Sequence, residues 1–280
     1  MTPPSGSTLV EIGPFAIHWY GLLIVTGIVL GAQVAGYLAK RADEDPDRIW
    51  DMLLFAVVLG VIGARIYHVV SQPRGGLLGW AYYKENPIEM FYIWKGGLGI
   101  FGAVIGGALG VALYCRLEHL RVLKWLDFAA PGMAIGQAIG RWGNYMNREL
   151  YGPPTTRPWG LQIPQQHRFP PYHDMSQYPP ETLFHPTFLY ESLAALLLCL
   201  GLLWIATRYR KKLKEGDLLL GYLMGYAVIR FFTEMLRPDA WMITGTPLAA
   251  AQLVAILFFI LAGIVLFFRH RPGNVASDAA

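Results

Sequence analysis

Five ionisable side chains stand inside stretches of chain that are otherwise apolar: Arg65, Arg141, Glu191, Arg230 and Glu234. Glu149 follows just past the end of the fourth such stretch. Charge in an apolar run is expensive and marks a functional position. A guanidinium group binds phosphate or carboxylate through two parallel hydrogen bonds and stays charged in a low-dielectric site. Carboxylates beside it can orient it or accept a proton. Tyr226, Arg230 and Glu234 recur every four residues and so share one helix face, which Arg237 continues. An Arg230–Glu234 ion pair that only pins the helix is the plainer reading, but it leaves Arg65 and Arg141 unexplained. The densest stretch is Gly140-Arg141-Trp142-Gly143-Asn144-Tyr145-Met146-Asn147-Arg148-Glu149-Leu150-Tyr151-Gly152. Its glycines predict a backbone that leaves helical geometry so that amides and Asn side chains face an anion. Ordinary Gly and Asn capping of a helix end is the alternative, and capping needs neither Arg141 nor Glu149.

The elements that position these groups follow from composition. Of 280 residues 54% are hydrophobic and only 15% charged, against about 25% charged in an average soluble chain. A water-soluble domain of this size could not hide that much apolar side chain, so lipid is the solvent. Seven stretches reach the length of about 20 residues that a bilayer core requires: 16–39, 51–72, 96–115, 125–145, 185–207, 217–236 and 247–268. The expected fold is therefore all-α and polytopic, a single membrane domain of seven transmembrane helices. Thirteen Lys and Arg fall in one set of connecting segments, among them Lys40, Arg41, Arg116, Arg121 and the run Arg208–Lys214, against seven in the other set. The positive-inside rule then puts the N-terminus outside and the C-terminus in the cytoplasm. Met1–Pro14 contains no Lys or Arg, so no cleavable signal peptide is expected. On this topology every intramembrane charge falls in the outer half of the bilayer, as do Tyr20, His185 and Tyr190. That asymmetry favours a pocket open to the outer leaflet over a polar path through the membrane. Residues 73–95, with Trp80, Tyr82, Tyr83, Phe91, Tyr92 and Trp94, read as an arm in the headgroup region. The Pro-rich 146–184 segment cannot be a continuous helix and reads as an ordered outer cap.

Other signals exclude alternatives. A net charge of +4 without a long basic block sets nucleic acid aside. Cys115 and Cys199 lie in apolar runs and read as reduced packing residues, and no metal-spaced His cluster, HExxH or GxSxG occurs. Gly97-Leu98-Gly99-Ile100-Phe101-Gly102 matches a dinucleotide fingerprint but follows no strand. With Gly106 and Gly110, and with the Gly132/Gly136/Gly140 series, it reads as close helix packing. His18 and His68 read as packed or interfacial. Neither a metal nor a cofactor is expected.

The run Gly140-Arg141-x-Gly143-Asn144-x-x-Asn147-x-Glu149-x-x-Gly152 resembles the signature of the bacterial prolipoprotein diacylglyceryl transferases. So do His18-Trp19-Tyr20-Gly21, Gly96-Gly97, His185-Pro186-Thr187-x-Leu189-Tyr190-Glu191 and Tyr226-x-x-x-Arg230-x-x-x-Glu234-x-x-Arg237, in that family's order, so that the likeness extends over residues 10–268. The resemblance implies an inner-membrane enzyme with its active site on the extracytoplasmic side. Such an enzyme moves the diacylglyceryl group of phosphatidylglycerol onto the lipobox cysteine thiol of a prolipoprotein, forming a thioether and releasing glycerol 1-phosphate. It further implies Arg141 and Arg230 on the phosphate, with Asn144 and Gly152 shaping the site. Glu149 and Glu234 would orient the arginines or accept a proton, and Tyr20 and Tyr226 would bond the lipid head or the substrate backbone. Arg65, Arg237, His185 and Tyr190 complete the expected binding set. One departure concerns the base: some relatives carry histidine in the third-span glycine stretch where this chain has Phe101. Either another group such as Glu149 takes the proton, or the arginine field alone ionises the thiol. A transporter for an anionic solute is the alternative from a different class. An intramembrane protease is disfavoured, because paired membrane aspartates and a Ser motif are missing.

Overall fold

The computed structural model describes residues 1–3, 8–12, 15–71 and 79–271. The start of the arm expected from residue 73, Arg74 included, lies outside the described residues. Apolar runs of span length fold as helices because a backbone in lipid must satisfy its own hydrogen bonds. Among the described residues these are α1 (Trp19–Arg41), α2 (Arg48–Val70), α4 (Ile100–Leu117), α5 (Val122–Asn147), α6 (Thr187–Arg208), α7 (Asp217–Glu234) and α8 (Ala250–Arg269). A short α3 (Trp80–Glu85) lies between α2 and α4. Five helices, α1, α2, α4, α6 and α8, are long and apolar enough to cross a membrane, as expected of a polytopic membrane protein. Their outward surfaces are apolar, with Leu54, Leu197, Leu261 and Phe267 all exposed. Helices α5 and α7 have span length but carry the charge: Lys124, Asp127 and Arg141 on one, Asp217, Arg230 and Glu234 on the other.

The chain forms two compact units. The second unit, residues 36–125, is organised by α2 against α4. Gly63, Gly102, Gly106 and Gly110 bring the two backbones into direct contact: a Cβ on Gly102 would strike the carbonyl of Gly63, and one on Gly106 the carbonyl of Leu59. Without a hydrophobic driving force between helices in lipid, such close van der Waals contact is what holds them. After α3 the chain runs through 3₁₀ turns over Pro87–Phe91 and Ile93–Lys95. The buried Arg65 ties that stretch down: Nε donates to Met90 O (2.7 Å), Nη1 to Gly96 O (2.8 Å) and Gly97 O (3.0 Å), and Nη2 to Glu89 O (2.5 Å).

The first unit, residues 1–35 and 126–280, holds most of α1 and α5 and all of α6, α7 and α8. Here α1 meets α5 where Gly31 faces Gly132 and Gly27 faces Gly136, a Cβ on Gly27 lying 3.1 Å from the Gly136 carbonyl. Strands β1 (Thr8–Ile12) and β2 (Phe15–His18) form an antiparallel hairpin ahead of α1. The Pro-rich segment is ordered, and it contains strands that composition did not reveal. β3 (Pro154–Thr155), β4 (Leu161–Gln162) and β5 (Leu183–Phe184) make a small sheet in the order β3-β5-β4. Beneath it Tyr151, Leu161, Ile163, Tyr172 and Phe184 form a buried core together with Phe188 from α6. Arg168, itself buried, donates to the carbonyls of Ile163, Tyr178, Pro179 and Pro180, groups that a proline-rich backbone cannot pair in a regular ladder. Burial pushes the Tyr151 hydroxyl up to about 12.

Candidate active site

Helix α5 ends in a way that builds half of the site. The Arg148 amide donates to Tyr145 O (3.1 Å) and the Glu149 amide to Asn144 O (3.0 Å), the pair of bonds that defines a Schellman end. The left-handed residue in that motif is usually glycine. Here it is Arg148, at φ 58°. Gly140 and Gly143 stay helical, so the expectation that the motif's glycines release the backbone is corrected: the helix runs to Asn147 and the exit is made by Arg148 and Leu150. Gly143 serves packing instead, since a Cβ there would strike the ring of Tyr20. The turn swings Glu149 back under the helix, where its Oε1 accepts from Asn144 Nδ2 (2.9 Å) and Asn147 Nδ2 (3.2 Å). Asn144 Oδ1 in turn receives Arg141 Nη1 at 3.4 Å. Arg141, Asn144 and Glu149 are thus one connected network.

The opposing wall comes from α6. Gly152 donates to His185 O (2.8 Å), and His185 returns a bond to Pro153 O (3.0 Å). Only glycine fits at 152: a Cβ would lie 2.9 Å from His185 Cβ and 3.1 Å from both Leu236 O and Thr187 Cγ2. The Thr187 hydroxyl caps Leu150 O, and Trp142 Nε1 donates to Ser192 Oγ (3.1 Å), which donates to Ala138 O (2.8 Å). With α6 fixed this way, Glu191 places Oε2 2.5 Å from Arg141 Nε. His185 Nδ1 and Trp159 Nε1 both meet the Tyr190 hydroxyl, at 3.1 and 3.0 Å.

Helix α7 supplies the rest. Arg230 Nη2 lies 2.6 Å from Glu234 Oε2, with Arg237 Nε on the same carboxylate at 4.0 Å. Arg237 also clasps Asp239 through Nε (3.1 Å) and Nη2 (2.7 Å). Its burial pulls the Arg237 guanidinium down, but the Asp239 hydrogen bond and the charges of Asp239, Glu234 and Glu191 raise it above its ordinary value. Arg237 holds the Asp239 carboxyl below the usual range by that hydrogen bond, against the upward pull of burial. A small cleft opens between Gln137 and Arg141 of α5, Glu191 and Ala195 of α6, and Tyr226 and Ile229 of α7. Arg230 follows Tyr226 by one turn on the same face of α7.

Of the residues singled out in the sequence, Tyr20, Arg141, Asn144, Glu149, Gly152, His185, Tyr190, Tyr226, Arg230, Glu234 and Arg237 all belong to the first unit. Arg65 belongs to the second, where four of its donor contacts go to the carbonyls of residues 89–97. Glu191 was visible as an intramembrane charge but had no role; its pairing with Arg141 shows only in three dimensions. Asp239 was missed, although an acid two residues beyond Arg237, across a proline, is a turn that could fold back on it. His68 packs its ring edge-on to Tyr83 and over Gly97, where any Cβ would strike Nε2.

These features define a polytopic membrane protein whose polar centre is built from arginine–carboxylate pairs on α5, α6 and α7. Its sequence relatives agree. The family model described as prolipoprotein diacylglyceryl transferase matches residues 7–269, and the chain belongs to that family. The chain is similar to the phosphatidylglycerol–prolipoprotein diacylglyceryl transferases of three bacteria. That of Chloroflexus aggregans is 39% identical over 271 residues, 92% of this chain and 87% of that protein. The Synechococcus elongatus protein is 42% identical over 270 residues, 95% and 89% of the two chains. The Halalkalibacterium halodurans protein is 37% identical over 275 residues, 98% and 89%. Family membership makes this chain a transferase and does not favour the anion-transporter alternative.

Proposed function

We infer that the chain transfers the diacylglyceryl group of phosphatidylglycerol to the lipobox cysteine thiol of prolipoproteins, the first step of bacterial lipoprotein maturation. The observation that carries the residue roles is the cleft lined by Arg141, Glu191 and Tyr226, one turn from the Arg230–Glu234 pair. The sulfur attacks the glyceryl carbon that bears the phosphate. A carbon–sulfur bond forms, the carbon–oxygen bond breaks, and glycerol 1-phosphate leaves with the bonding pair. A free thiol titrates near 8.5, so it needs a base or a positive field. Arg141 and Arg230 hold the phosphate and stabilise the charge that gathers on it as it departs. Their fork geometry suits two phosphate oxygens at once. Glu191 and Glu234 keep the guanidinium groups aimed while the cleft is free of lipid, and give way to phosphate when it enters. Asn144 orients Arg141, and Glu149, held by Asn144 and Asn147, takes the thiol proton with the help of the arginine field.

Around this centre, Tyr20 and Tyr226 bond the lipid head or the peptide backbone. Gly152 keeps the His185 and Leu236 backbones close, and His185 with Tyr190 lines the peptide approach. Arg237 steadies Glu234. Arg65 fixes the 89–97 stretch, and residues 73–95 lie as an arm in the headgroup layer. All seven long helices cross the bacterial inner membrane, with the N-terminus and the Pro-rich segment outside, the C-terminus in the cytoplasm, and the cleft facing the extracytoplasmic leaflet.

The test is direct. Purified protein, phosphatidylglycerol and a lipobox peptide give a thioether adduct by mass spectrometry, and Arg141→Ala lowers its rate at least ~100-fold, the usual cost of one preorganised donor. Absence of adduct with folded wild-type protein overturns the reading.

A further inference from the structure

The far end of the first unit carries charge of a different kind. At the C-terminus of α6, about 25 Å along the helix axis from Glu191 at 1.5 Å per residue, Arg208 leads into a 3₁₀ turn of Arg210, Lys211 and Lys212. All four cations are exposed. Arg208 and Lys212 lie over the ring of Tyr209, at 5.8 and 6.0 Å, and Trp204 packs edge-on to the same ring while 58% exposed. The C-terminus of α8 meets α7 at this end, through Arg269 Nη2 to Glu215 O (2.5 Å) and His270 Nε2 to Asp217 Oδ2 (2.8 Å). There Arg271 lies over the exposed rings of Phe267 and Phe268, at 5.0 and 4.8 Å.

Two of the carboxylates here are buried. Asp127 is buried and accepts from the amides of Gly216 (2.6 Å) and Leu219 (2.9 Å). Asp217 is buried against Arg269, His270 and the Lys214 amide. Glu215 is half-buried. The exposed charged side chains Arg208, Arg210, Lys211, Lys212 and Arg271 are all cations, and Arg208, Lys212 and Arg271 sit on aromatic rings. Aromatic rings settle at the headgroup boundary, which sets the guanidinium and ammonium groups over them at phosphate depth. We propose that this end is a docking belt for the headgroups of anionic phospholipids, separate from the Arg141 cleft. The occupant follows from charge complementarity: a cluster of basic residues directly beyond a membrane helix attracts acidic lipid.

Trp204 reports the belt locally. Full-length protein is reconstituted in phosphatidylcholine bilayers containing a minor fraction of lipid with brominated chains, either phosphatidylserine or phosphatidylcholine. The Trp204 contribution is taken as the difference from Trp204→Phe. Phosphatidylserine is not the lipid substrate inferred above, so the outcome does not depend on that reading. Quenching is expected at several-fold lower mole fraction of the serine lipid, with about fivefold preference for each cation engaged. The preference should collapse in 1 M salt and in the variant Arg208→Gln, Arg210→Gln, Lys211→Gln, Lys212→Gln. Equal quenching by the two lipids, or a preference that survives salt, overturns the proposal. The salt arm decides the matter in wild-type protein even where the fourfold variant fails to fold.

Discussion

At the scale of single residues, charge in this site is balanced pair by pair: Arg141 with Glu191, Arg230 with Glu234, Arg237 with Asp239. Removing one partner from a buried pair leaves the other uncompensated, which costs more than the pair itself contributes. Two predictions separate the roles. Glu149→Gln keeps the hydrogen bond from Asn144 in shape but cannot take a proton. It should lower turnover by ~10²-fold, within the range of general-base removal, and change the acid limb of the pH–rate profile. An unchanged rate and profile would leave the arginine field as the sole activator. Asp239 is a structural test. Its folded carboxyl titrates below the ordinary value of 3.8 because Arg237 bonds it, so its stabilisation is present above about pH 4. That contribution is lost as pH falls through the lower, folded value. The difference in melting temperature between wild type and Asp239→Asn should therefore be full at pH 7 and close below about pH 4. A difference that grows toward acid would contradict the assignment.

The elements owe their positions to small residues and to capped ends. Glycines on α2 and α4 allow backbone contact, and the Schellman end of α5 delivers Glu149 to Asn144. Gly102→Val should force α2 and α4 apart and lower stability by roughly 1–3 kcal/mol, the usual cost of overpacking. Gly201, on α6, has open space where its Cβ would be, and Gly201→Ala should leave thermal unfolding unchanged or raise the midpoint. Equal effects from the two substitutions, measured by thermal unfolding in detergent, would show that the close approach of Gly102 to Gly63 carries no energy. The Pro-rich segment holds its shape through Arg168 and an aromatic core. Neither is a periodic signal, and for that reason its strands were invisible to hydrophobic pattern.

For the whole molecule, the distribution of Lys and Arg predicts an orientation that impermeant labelling can test. Both native cysteines, Cys115 and Cys199, are buried, which leaves little background. On intact spheroplasts, Gln177→Cys in the Pro-rich segment should react with a membrane-impermeant maleimide, whereas Lys211→Cys should react only after permeabilisation. The reverse pattern would place the cleft on the cytoplasmic side. The same orientation would set the arginine cleft and the basic belt in opposite leaflets, so the two would meet different lipid pools.

The amino-acid sequence by itself determined the solvent, the long helices and the residue types of the candidate site. Each depends on composition or on spacing along one element: apolar runs of span length, or Tyr226, Arg230 and Glu234 on one face of α7. The run from Gly140 to Gly152 was legible as a candidate site, but not the means by which its chain leaves the helix, because Arg148 takes a backbone conformation that glycine usually holds. Tertiary structure alone decided the partners. That Arg141 meets Glu191, that Arg65 spends its donors on carbonyls of residues 89–97, and that Gly143 makes room for Tyr20 are contacts between segments far apart in the chain. Their energies depend on three-dimensional distance and burial, and no local pattern encodes those.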